Sequence, residues 1–69
     1  MKIKDFLEVN NNIEKIHINH IIRSNEIVTE NTVYYVGKTE DVPENFYDDD
    51  ILSIEFIYSG GMIQALIEI

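Results

Sequence analysis

The nineteen residues ILSIEFIYSGGMIQALIEI at the C-terminal end constrain the fold more than any other stretch of this chain. With Gly60 and Gly61 as the two central residues of a tight turn, Ser59 faces Met62 and the register of a β-hairpin follows. Tyr58 then pairs with Ile63, Phe56 with Ala65, Ile54 with Ile67, and Leu52 with Ile69. All eight are apolar or aromatic, and alternation along a strand puts them on one face, the expected core face. A slip of one residue would mix that face with Ser53, Glu55, Gln64 and Glu68, so the pattern specifies its own register. The same register leaves Ile57, Met62 and Leu66 on the other side. These three are the expected contact of a homodimer or higher homo-oligomer.

The rest of the chain divides into short elements. Ile3, Phe6 and Leu7 sit at i, i+3 and i+4 within KIKDFLEV, the apolar stripe of a short helix over residues 2–9 that Asn10, Asn11 and Asn12 end. Ile13 to Ile22 is rich in β-branched residues and reads as a first strand. Arg23 to Glu26 supplies a polar turn. A second extended run follows to Gly37, interrupted at Glu30-Asn31, with large groups on both faces. That pattern fits a central strand covered on both sides or a face used by a partner. Pro43 bars a central strand from residues 38–50, and Pro43 to Tyr47 suits a single helical turn. The expected fold is α+β, mainly β, in one small domain over residues 1–69: a short N-terminal helix, then a four-stranded, mostly antiparallel sheet ending in the Gly-Gly hairpin.

A chain of this length buries only about 60% of its unfolded surface. Cys is absent, which excludes disulfides and thiolate zinc sites as reinforcement and leaves self-association as the expected remedy. MKIKDFLEVNNN holds no apolar run of signal-peptide or membrane-span length, so the expected location is the cytoplasm, with no membrane partner. Thirteen acids against five bases give a net charge of −8. Affinity for phosphate backbones comes from Lys and Arg, so nucleic acid is disfavoured as a partner and a basic protein is favoured.

Glu40, Asp41, Glu44, Asp48, Asp49 and Asp50 form the densest charge feature, with no base among residues 40–50. Adjacent aspartates without a central Gly or a closing Glu do not make a calcium loop, which leaves a solvated loop or a contact for a basic partner. Tyr35 and Tyr47 join those six as candidate partner-binding residues, because aromatics bring contact area at low entropic cost. Tyr34, Phe46 and Tyr58 are further aromatics to weigh, with core packing the plainer role of Phe46 and Tyr58. His17 and His20 are three apart on a strand, so they face opposite sides and cannot chelate a metal together. No nucleophile elbow, phosphate loop or cofactor motif is present, and no residue is assigned to catalysis. The chain reads as a non-enzyme without metal or cofactor.

Lys2 to Val9, Val33 to Gly37, Val42-Pro43 and Ile51 to Phe56 together resemble a diffuse group of very small phage and prophage proteins of Gram-positive bacteria. Their pattern is a start like MKIKDFLEV, an extended run ending in Gly, a proline, then an acidic segment and a strand. Some similar proteins inhibit bacterial immune systems, CRISPR nucleases among them. The resemblance implies a phage-type binding protein that antagonises a defence component in the host bacterial cytoplasm. Two other functions remain open. One is an oligomeric nucleic-acid-binding sheet that gathers Lys2, Lys4, Lys15 and Arg23 on one face beside Tyr34 or Tyr35. The other is a sponge for a nucleotide signal held between subunits.

Overall fold

The computed structural model describes all residues, 1–69. Helix α1 spans Ile3–Val9, and the four strands are β1 (Lys15–Ser24), β2 (Ile27–Lys38), β3 (Ser53–Ser59) and β4 (Met62–Glu68). They form one mixed sheet in the order β2-β1-β4-β3. Two antiparallel hairpins, β1-β2 and β3-β4, lie side by side and join through a parallel pairing of β1 with β4. No helical crossover is needed for this. The connection 39–52 runs from one edge strand to the other, and the inner strands end up parallel because each hairpin contributes one of them. This arrangement centres β1 and β4, which carry Ile16, Ile18, Ala65 and Ile67, all four buried. It sends β2 to an edge, which overturns the first of the two readings of that run, a central strand covered on both sides.

The β3-β4 register is the one the Gly-Gly turn dictates, from Ser59 opposite Met62 to Ile54 opposite Ile67. Gly60 and Gly61 take φ of 62° and 77°, the left-handed values a two-residue turn of this type requires. The other hairpin turns at Asn25 and Glu26, whose φ values of 52° and 67° describe the same turn without glycine. β2 does not break at Glu30-Asn31. It runs through with two bulges, where Thr29 and Tyr34 fall out of register with β1. Tyr35 then lies over Gly37, where a Cβ would sit 2.8 Å from the Tyr35 hydroxyl, and that hydroxyl donates to the Lys38 carbonyl at 2.6 Å.

One face of the sheet is covered and the other is bare. Ile3 and Phe6 of α1 pack with Ile13, Ile16, Ile18, Val42, Ala65 and Ile67 into a single core, flanked by Phe46, Tyr47 and Ile51 of the connection. The Cα extents of 36 × 28 × 16 Å fit this two-layer slab. A helix of seven residues is too short to stand alone, and here the connection supports its start. The Ile3 and Lys4 N–H groups donate to the Asp49 and Tyr47 carbonyls, both at 3.1 Å, which satisfies donors that a helix start leaves unpaired. Within the connection, the expected helical turn is a 3-10 turn at Glu44–Phe46 with Pro43 capping it, and a second one occupies Thr39–Asp41.

The cover stops short of the hairpin tip, so the expectation that all eight residues of the C-terminal row enter the core is corrected. Ala65 and Ile67 are buried and Ile54 and Ile69 half-buried, but Phe56, Tyr58, Ile63 and Leu52 are exposed. α1 reaches as far as Phe56, where the Phe6 ring stacks at 6.3 Å, and nothing lies over Tyr58 and Ile63. A seven-residue helix is about 10 Å long, too short to roof a sheet of these dimensions.

A candidate binding pocket on the covered face

The acidic connection divides into paired and unpaired charges. Lys2 Nζ reaches Asp50 Oδ1 at 3.0 Å and the Asp48 carbonyl at 3.0 Å, while Lys4 Nζ lies 3.3 Å from Asp48 Oδ1. Together with the backbone bonds above, these contacts fasten the N-terminus onto residues 47–51. The Lys2 hydrogen bond is the main reason that the Asp50 carboxyl sits below its ordinary range, and the same bond raises Lys2. The matched spacing of Lys2-x-Lys4 and Asp48-x-Asp50 is the sequence signal of this clasp. Glu40 makes only a 4.0 Å contact with Lys38, and Asp41, Glu44 and Asp49 have no ion-pair partner.

Of the two candidate tyrosines, Tyr35 packs against the core and bonds Lys38, and burial raises its phenol together with the charge of Asp41. Tyr47 also packs against the core. The more accessible aromatic surface lies beside them. Tyr34, displaced from the β2 ladder by its bulge, stacks on His20 at 6.1 Å and on Phe46 at 6.3 Å. His20 is held by a 2.7 Å hydrogen bond between Nδ1 and the Ile69 carbonyl oxygen. These rings wall a surface pocket of about 530 Å³ whose other lining residues are Asn45, Asp49, Asp50 and Ile69. Tyr34 and Phe46 stand out singly in the sequence but their meeting does not, because a bulge has no local signature in this stretch and Phe46 reaches Tyr34 from a separate connection.

The bare face differs in charge. By register it carries Lys38, Lys15, Gln64 and Ile57 in one row, then Val36, His17, Leu66 and Glu55, then Val33, Asn19, Glu68 and Ser53. Ile57, Met62 and Leu66 are half-buried there, set among polar neighbours. His17 Nε2 and Gln64 Oε1 share a hydrogen bond of 2.8 Å, so the two histidines do face opposite sides. Arg23 pairs with Glu68, which also accepts a 2.8 Å hydrogen bond from Ser53 Oγ. The Arg23 bond, then the Ser53 bond, hold the Glu68 carboxyl below its usual range. Lys15, Lys38 and Arg23 thus lie on this face with only Glu55 and Glu68 among its paired strand residues, whereas Asp48, Asp49 and Asp50 lie on the covered side.

One of the alternative assemblies, the basic nucleic-acid face, does not form. Lys2 and Lys4 lie on the covered side in ion pairs, whereas Lys15 and Arg23 belong to the bare face, so these four bases share no surface for nucleic acid. No group of three or more His, Asp or Glu side chains is placed to hold a metal. A second pocket, of about 510 Å³, lies where Gly37 and Lys38 meet Asn11, Glu14 and Lys15. It mixes two Lys with two Glu and contains no aromatic ring. No helix is long and apolar enough to cross a membrane. Comparison with models of protein families, with curated proteins and with solved structures finds no match.

Proposed function

We propose that this chain is a binding protein, without catalysis of its own, that engages a basic protein through the covered face. The carrying observation is the Tyr34-Phe46-His20 pocket with Asp49 and Asp50 among its lining residues. Aromatic faces attract a guanidinium or ammonium group by about 0.5–2 kcal/mol, depending on how far it is desolvated. A neighbouring carboxylate adds a charge-assisted hydrogen bond. Asp50 is engaged by Lys2, so Asp49 is the carboxylate free to take such a partner, with Asp41 and Glu44 extending the field along the connection. The occupant would be an Arg or Lys side chain. A net charge of −8 draws a basic partner in from a distance.

The resemblance to small phage proteins extends this reading to the target, a basic nucleic-acid-binding protein of host defence such as a CRISPR nuclease. Inhibition would be steric and electrostatic, by occupying a surface that otherwise meets nucleic acid. The test is capture of the target from bacterial lysate with the native protein, with Tyr34→Ala, and with a triple Asp41→Asn, Glu44→Gln, Asp49→Asn variant. Both variants should lose about tenfold or more in affinity, equivalent to about 1.4 kcal/mol. Unchanged capture by both would rule out this face as the contact.

A further inference from the structure

We propose that two copies of this chain pair along the free edge of β3, forming a continuous eight-stranded sheet about a two-fold axis at Phe56. The sheet has two open edges, β2 and β3. They are not equivalent. β2 carries two bulges, the usual device that blunts an edge against pairing, whereas β3 keeps an unbroken register over its whole length. Ser59 and Met62 close a two-residue turn and are therefore a hydrogen-bonded pair, so alternation turns the N–H and C=O groups of Ile54, Phe56 and Tyr58 outward. No backbone hydrogen bond outside the sheet ladders involves residues 53–59.

Charge and side chains select a second copy as the occupant. Two chains of net charge −8 repel, so they can meet only where few charges stand, and β3 carries one, Glu55. Residues opposite each other across an antiparallel pair share a face, so the two-fold axis must pass through a residue. An axis at Glu55 would oppose two carboxylates. An axis at Phe56 uses all of Ser53–Ser59, sets Phe56 against Phe56 of the other copy, Ile54 against Tyr58, and Glu55 against Ile57. Three outward residues per copy then supply six backbone hydrogen bonds.

This pairing also covers part of what α1 leaves bare, the side chains of β3. Phe56 is 53% and Tyr58 76% exposed, so at ~150–250 Å² per aromatic side chain they offer roughly 250 Å² between them. Leu52 and the strand edge about double that, giving on the order of 1,000 Å² in total, the lower bound of a specific interface. The dimer is accordingly weak and depends on concentration. The interface leaves Ile57, Met62 and Leu66 facing outward from the bare side, and it leaves one aromatic pocket free on each copy.

The absence of native Cys makes a clean test. Phe56→Cys places one thiol on the axis, where the Cα atoms of a hydrogen-bonded pair lie ~5.5 Å apart, within disulfide reach. Mild oxidation of Phe56→Cys should give a covalent dimer several-fold faster than oxidation of Leu66→Cys on the bare face. In sedimentation, the native protein should shift from 8.1 kDa towards twice that mass as its concentration rises to hundreds of micromolar, a range set by the small interface. Tyr58→Glu should remain monomeric with an unchanged circular dichroism spectrum. A native protein that stays monomeric, or a dimer that survives Tyr58→Glu, or faster cross-linking of Leu66→Cys, would overturn the proposal.

Discussion

Ile63 and Ile67 sit in one row of one strand, yet replacing each with Ala should have very different costs. Each substitution removes three carbons, about 2.4 kcal/mol of transfer free energy at ~0.8 per fully buried carbon. Ile67 is 1% exposed in the core with Ile3, Phe6 and Ile18, so the full term applies and a closed cavity adds to it, for a total of about 3–4 kcal/mol. Ile63 is 49% exposed at the uncovered tip, so about half the term applies, and water fills the space left behind. Its cost is about 1 kcal/mol. A domain of this size has roughly 3–10 kcal/mol to lose, so Ile67→Ala should lose between about a third and all of its stability, while Ile63→Ala keeps most of it. Urea denaturation followed by far-ultraviolet circular dichroism, at concentrations low enough to keep the chain monomeric, measures both. Equal losses would refute the conclusion that the cover ends at Phe56.

Two further outcomes follow from local geometry. Glu26 occupies a left-handed turn position at φ 67° that suits glycine, so Glu26→Gly should stabilise the chain by about 1 kcal/mol, read as a raised urea midpoint. The Glu68 carboxyl has a lower pKa folded than unfolded, so its contribution is complete above the unfolded value of about 4.3 and is lost as the pH falls through the folded value. Arg23 is half-exposed, so solvent screens the pair and keeps that contribution small, and Glu68→Gln should flatten the loss of stability as the pH falls below the unfolded carboxylate value.

Much of this fold is legible in the letters, and the boundary of legibility is physical. Gly60-Gly61 fixes a register because a two-residue turn leaves no freedom, and the pairing from Ser59 to Ile54 follows from it. α1 is legible from the i, i+3, i+4 spacing of Ile3, Phe6 and Leu7. The parallel contact of β1 with β4 is not, because it joins residues some fifty positions apart and depends on which strand of each hairpin is the more apolar. The edge position of β2 is hidden too, since Thr32, Tyr34 and Val36 alternate as well as any central strand. At the candidate site, the acidic run is plain in sequence, but its division is not. Asp48 and Asp50 fasten α1, while Asp41, Glu44 and Asp49 stay unpaired, a partition set by where Lys2 and Lys4 land. Tyr34 reaches the pocket only because a bulge turns it out of the ladder.

Whether the aromatic pocket receives a basic side chain can be read from a nuclear magnetic resonance titration of the isotope-labelled protein with a short arginine-rich peptide. Saturable shift changes should centre on His20, Tyr34, Asn45, Phe46 and Asp49, with the bare-face residues Lys15, His17 and Leu66 unmoved and the response abolished in Tyr34→Ala. Shifts spread evenly over every acidic residue, or centred on the bare face, would contradict binding in the pocket.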